Sequence, residues 1–96
     1  MTPETAFKKQ IIKFLDTLNS CYHIPYFPSI YTPKGVPDIL CCINGHFVAI
    51  EVKADNGKPS ELQKYHVNEI NNAGGIAVIL YPKDFEEFKE ICRRLI

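Results

Sequence analysis

The stretch Gly35–Lys53, GVPDILCCINGHFVAIEVK, decides the fold. Asn44-Gly45 sits between two apolar runs, and a type I′ hairpin turn needs φ > 0 at both central residues, which this dipeptide tolerates best. A two-residue turn pairs Ile43 with His46, and every pair further out keeps the same index sum. Asp38 then falls opposite Glu51. Facing side chains in an antiparallel pair lie about 4.5–5.5 Å apart at Cβ, where like charges are destabilising. Lys53 is two residues beyond Glu51 and points to the same face. Two facing carboxylates with an ammonium beside them make a poor core but suit a divalent cation with a charged helper.

The same register separates two faces. Leu40, Cys42, Phe47 and Ala49 share the face of Asp38, Glu51 and Lys53, while Ile39, Cys41, Ile43, Val48, Ile50 and Val52 line the other. Both are apolar, so the sheet is expected to be covered on both sides, as in an α/β layer architecture. A satisfied ion pair would account for Lys53 and one carboxylate, but it leaves the second carboxylate unexplained.

The flanking segments supply the layers. Residues 3–18 read as a helix, with Phe7, Ile11, Phe14, Leu15 and Leu18 at helical spacing behind a Thr2-Pro3 start. Glu4 extends that stripe toward the core, although a first-turn glutamate also complements the helix dipole. Lys8, Lys9 and Lys13 lie off the stripe, as solvated surface or as a phosphate-facing strip. Residues 19–34 are rich in proline and aromatic residues. A short edge strand is expected around Tyr26 to Ile30, and Tyr22, Tyr26 and Tyr31 either stack on bases or cover a small core. Gly35 permits an unusual dihedral or a close backbone approach. After the hairpin, Ser60-Glu61-Leu62-Gln63 has the form of a capping box. Leu62, His66, Ile70 and Ala73 mark a second helix, closed by Gly74-Gly75. His66 on that stripe reads as a satisfied, partly buried histidine rather than a ligand. Ile76–Leu80 is a short apolar strand, and Pro82 opens a last helix whose charges run from acidic to basic.

The composition sets bounds. The 96 residues make room for one domain, residues 1–96, and the 46% apolar fraction is ordinary for a folded chain. No apolar run is long enough to cross a membrane. The N-terminal MTPETAFKKQ lacks the order of a secretory signal, which reads as an intracellular, cytoplasmic protein. Formal net charge is zero, so any nucleic-acid contact must come from a local basic strip. Cys21, Cys41, Cys42 and Cys92 show no CxxC spacing and read as reduced, mostly buried thiols.

The pattern Gly35-x-Pro37-Asp38, then Glu51-Val52-Lys53 with Glu51 thirteen positions after Asp38, then Gln63, resembles the core of the PD-(D/E)XK nucleases. Within them it is similar to the virus-type replication and repair nuclease domain, VRR-NUC, over essentially the whole chain. The resemblance implies a restriction-endonuclease-like core: a mixed four-stranded sheet flanked by helices in the order α-β-β-β-α-β-α. It implies a Mg²⁺ (or Mn²⁺) site with Asp38, Glu51 and the Val52 carbonyl as ligands. Lys53 would help the attacking water, Gln63 would orient the site, and Glu4 matches a helix glutamate also found in the similar archaeal Holliday junction resolvases. The function expected from it is a metal-dependent DNA endonuclease, bacterial or phage-encoded, selective for branched DNA such as four-way junctions. Its expected phosphate contacts are Lys8, Lys9, Lys13, Lys34 and Lys58, and a homodimer would cut two strands symmetrically. A nicking, flap-cutting or general endonuclease, a catalytically silent nucleic-acid binding module, and a structural protein with a surface ion cluster are the alternatives.

Overall fold

The computed structural model describes residues 1–24, 29, 31 and 33–96. Its elements are α1 (Pro3–Leu15), β1 (Cys21–Ile24), β2 (Ile39–Ile43), β3 (His46–Val52), α2 (Glu61–Asn72), β4 (Ile76–Leu80), a single 3₁₀ turn (Pro82–Asp84) and α3 (Phe85–Arg94). One sheet runs β1-β2-β3-β4, antiparallel except for the β3–β4 pair. This is the α/β arrangement expected from the sequence, a mixed four-stranded sheet in the order α-β-β-β-α-β-α.

The hairpin register is the one the turn dictates. Ile43 pairs with His46 and Ile39 with Ile50. Asn44 and Gly45 both have positive φ, 48° and 85°. The turn is tied down from two sides: the Asn44 N–H donates to the Ser20 carbonyl at 2.7 Å, and its side-chain amide donates to the Leu95 carbonyl at 2.7 Å.

One face of the sheet carries the main core. Ile39, Cys41, Ile43, Val48, Ile50 and Val52 pack there against Phe7, Ile11, Phe14 and Leu15 of α1 and Phe88 and Cys92 of α3. Phe7 meets Phe85 edge-on with ring centroids 5.4 Å apart. Burial pushes the Cys41 and Cys92 thiols up to about 12, so both are inert at neutral pH. All four cysteines are free, but Cys42 is exposed rather than buried.

The other face is covered only in part. Helix α2 packs over β3 and β4 through Val67 and Ile70 against Ala49, Ala77 and Ile79. Toward β1 the described residues leave this face open: Tyr22 is 70% exposed, Ile24 46% and, at the start of β3, Phe47 44%. Among the described residues, cover on both sides is therefore seen over β3, β4 and Leu40 of β2, because a helix about 10 Å across spans about two strands.

Three local expectations change. Helix α1 ends at Leu15, three residues early, where the Thr17 hydroxyl donates to the Phe14 carbonyl at 2.6 Å and turns the chain. The first strand is Cys21–Ile24, ahead of Pro25, where every backbone N–H is available to the ladder. The strand expected around Tyr26 to Ile30 falls on residues 26–28 and 30, which lie outside the described residues, as does the stacking role considered for Tyr26. The inward face of α2 is Gln63, Val67 and Ile70, with Leu62 at 51% exposure and Ala73 exposed.

Candidate active site

Asp38, Glu51 and Lys53 meet where β2 begins and β3 ends. The register that pairs Ile39 with Ile50 sets Asp38 opposite Glu51 and Pro37 opposite Val52. The Val52 N–H donates not to a strand partner but to the Asp38 carboxylate, with Oδ2 at 2.9 Å. In an antiparallel ladder a residue that aims its N–H at a neighbour aims its C=O there too. The Val52 carbonyl thus faces the β2 side, where the opposing residue is a proline with no N–H to give. A backbone oxygen is left beside Asp38 without a ladder bond from the residue it faces.

Glu51 is the buried member, with 3% of its surface exposed. Its carboxyl is pushed up from 4.5 to about 7, first by burial and next by the charge of Asp38, against a smaller opposing pull from Lys53. Lys53 Nζ lies 3.4 Å from Glu51 Oε2, with 12% of its side chain exposed. The one ammonium is paired with the buried Glu51, while Asp38 beside it is half-buried and held by the Val52 N–H.

The surroundings hold these groups in position. Gly35, at φ 84°, passes so close to α2 that a Cβ there would lie 2.8 Å from the Leu62 carbonyl carbon. Both uses foreseen for this glycine are realised together. His66 Nε2 lies 3.1 Å from the Lys34 carbonyl oxygen and fixes the same loop, so this half-buried histidine is satisfied. Gln63 closes the capping box: its side-chain oxygen accepts from the Ser60 N–H at 2.9 Å, and its own N–H donates to Ser60 Oγ at 3.1 Å. That anchors the helix start next to Gly35 and gives Gln63 a structural duty close to the site.

Glu4 is exposed, so it does not continue the buried stripe of α1 as expected. Its helix begins toward the site's end of the sheet, in the layer that covers the opposite face. One turn further on, Phe7 touches Phe85, which follows the end of β4, and Leu80 at that end pairs with Val52. Of the lysines, Lys34 and Lys58 sit in the loops flanking Asp38 and Lys53. Lys8, Lys9 and Lys13 belong to α1, in the layer across the sheet.

Two features escaped the sequence. Asn71 clasps the outer edge of β4, donating to the Ala77 carbonyl at 3.0 Å and accepting from the Ala77 N–H at 2.8 Å. Tyr81 donates its hydroxyl to the Gly57 carbonyl at 2.8 Å and pins the loop after β3. Each is a bond of a single polar side chain to backbone in another element or loop, with no periodic signal to reveal it.

Among the described residues no three His, Cys, Asp or Glu side chains gather in a metal-binding group. The donors here are two carboxylates and a backbone carbonyl, all hard oxygens, and the carboxylates outnumber the one ammonium. Such a set fits magnesium, which binds through one or two carboxylates and keeps several waters. Among the described residues no helix is long and apolar enough to cross a membrane. Comparison of this chain with protein-family models, curated proteins and solved structures found no match.

Proposed function

We propose that this chain is a metal-dependent DNA endonuclease, hydrolysing phosphodiester bonds at Asp38, Glu51 and Lys53. The observation that carries the reading is Glu51, a carboxylate at 3% exposure beside a second carboxylate and one ammonium. A structural ion pair has no use for the second carboxylate. Burying it raises the cost of the ionised state, which a bound cation offsets.

Asp38, Glu51 and the Val52 carbonyl would hold Mg²⁺ or Mn²⁺. A bound ion supplies Lewis acidity toward the phosphate and a more acidic water. The chain's own residues do the rest. The Val52 N–H orients Asp38 through Oδ2 at 2.9 Å. Lys53 keeps a fixed positive charge at the site, where it can orient a water and offset charge developing on the phosphate. Glu4, exposed at the start of α1, is the further carboxylate assigned to the site in this reading.

The substrate proposed is branched DNA, a four-way junction above all, cut by a homodimer. What supports two copies is the open sheet face. Tyr22, Cys42 and Phe47 form one row across three strands, with Ile24 in the next, and none carries a charge. A two-fold contact sets a patch against itself, so an uncharged apolar patch meets no like-charge penalty.

Cleavage of junction, flap, linear duplex and single-stranded DNA in magnesium, manganese and EDTA tests the reading. Cutting is expected with either metal and absent in EDTA. Lys53→Ala should slow it about 10²–10⁴-fold while leaving the melting temperature near that of the parent. Equal cutting in EDTA and magnesium would end the metal mechanism, and binding without turnover would leave a silent binding module. A monomer that nicks all four substrates equally would remove the junction preference.

A further inference from the structure

We propose that the groove walled by Asp55–Lys58 on one side and by Tyr81 and Lys83 on the other takes the phosphodiester backbone of the nucleic-acid strand leading to the site. The proposal rests on the nuclease reading and adds the path of the substrate, with Lys83 as a contact that nothing in the sequence pattern singled out.

Position is the first argument. Strands β3 and β4 are parallel neighbours, paired at Val52 and Leu80, and the Lys53 N–H donates to the Leu80 carbonyl at 3.0 Å. The segments that follow them leave the sheet together, at the end that carries Asp38 and Glu51. In sheets with parallel strands, ligands bind in crevices beyond the carboxyl ends. The space between these two segments is about 620 Å³.

The groove is also fastened to the site. Gly57 packs on the stem of Lys53, where an added Cβ would lie 3.3 Å from Lys53 Cδ. The Tyr81 hydroxyl holds the Gly57 carbonyl from the facing wall. A strand seated there would run past Lys53.

Its chemistry selects a polyanion. The walls are Asp55, Asn56, Gly57, Lys58, Tyr81 and Lys83, with no aliphatic side chain to hold an apolar ligand. Lys58 and Lys83 are exposed, and among the described residues neither has a carboxylate within salt-bridge distance. Lys83 Nζ stands 5.8 Å from the centre of the Tyr81 ring. The basic groove between α1 and α3 differs. There Lys89 is held by Glu86 at 3.0 Å and Arg93 by Glu90 at 2.7 Å, so two of its cations are already neutralised. Free ammonium groups on opposite walls suit successive phosphates of one chain.

The test is fluorescence anisotropy of labelled duplex and single-stranded oligonucleotides. Calcium replaces magnesium so that binding is read without cleavage, and the salt concentration is varied. Lys58→Ala and Lys83→Ala should each weaken binding several-fold and lower the log–log salt slope by about one phosphate contact. Asp55→Asn should tighten binding. Arg94→Ala, at the far end of α3, serves as the control and should match the parent. In magnesium, the lysine variants should raise KM more than they lower kcat. Lysine variants with the parent's affinity and slope overturn the proposal, as does a parent that binds no DNA. The two readings fail separately. A parent that cuts DNA while Lys58→Ala and Lys83→Ala bind unchanged sinks the groove alone. Lysine-dependent binding without cleavage in magnesium sinks the nuclease alone.

Discussion

Replacing Glu51 by glutamine isolates the cost of assembling the site. The carboxyl titrates near 7 in the folded chain against an ordinary 4.5, chiefly because it is buried and because Asp38 is beside it. The folded state therefore holds this proton more tightly than the unfolded state does. The stabilisation is complete below about pH 4.5, declines as pH rises through the window up to about 7, and is gone above it. At about 1.4 kcal/mol per pH unit of displacement, the ionised form costs about 3 kcal/mol. Glutamine keeps the shape and, like the protonated acid, offers a donor to Asp38. Glu51→Gln should match the parent at pH 5 and exceed it by about 2–3 kcal/mol at pH 8. For a domain of this size that is a rise in melting temperature of roughly 10–20 °C. Urea unfolding of both proteins between pH 5 and pH 8, without divalent metal, gives the difference curve, in which the other titrating groups cancel. Magnesium at pH 8 should then raise the parent toward the variant and leave the variant unmoved. A difference curve flat across this range would refute the claim that Glu51 is strained by burial and by Asp38.

The other predictions are read more simply. Glu4→Gln should cost at most about 1 kcal/mol, the scale of a first-turn charge on the helix dipole, while lowering turnover; equal turnover would leave Glu4 as a helix-end charge only. A short bismaleimide should cross-link the parent into dimers through exposed Cys42, and Cys42→Ser should abolish this, since Cys41 and Cys92 are buried and the half-buried Cys21 packs on the main core; cross-linking that survives both Cys42→Ser and Cys21→Ser would move the interface elsewhere. Gly35→Ala should destabilise the fold by about 2 kcal/mol or more, because φ is 84° and the new Cβ would press on Leu62 at 2.8 Å; thermal unfolding at the parent's temperature would mean that the loop can shift.

What could be read in advance followed local rules. Asn44-Gly45 set the hairpin register, and the period of two then brought Asp38, Glu51 and Lys53 to one face without further input. The capping box at Ser60 and Gln63 was legible for the same reason, its partners being three residues apart. What was not legible depended on which elements become neighbours. The exposure of Tyr22 and Ile24 on β1 could not be foreseen, because apolar alternation tells which residues share a face and not how much of it a helix covers. The groove of Lys58 and Lys83 arises only once β3 and β4 lie side by side. In α2, Leu62 and Ala73 fit a helical stripe as well as Val67 does, and only the position of the sheet chose between them.

Pro37 and Asp38 act as one device. The residue opposite Val52 must end the ladder for the site to exist, since a continued strand would use the Val52 N–H and C=O in ordinary pairing. Proline removes the donor that would have reached the carbonyl, at the point where β2 begins and a proline is tolerated. The aspartate that follows recovers the other half of the lost pairing, its side chain accepting the Val52 N–H at 2.9 Å. Val52 is therefore half satisfied from within: its N–H is taken by the Asp38 side chain, and its carbonyl faces a residue with no N–H to offer. Local stability has been exchanged for an arrangement of oxygens with too much negative charge. The rest of the chain holds that arrangement in place: α2 through Gly35 and His66, β4 through Leu80, and the core through Ile50 and Val52.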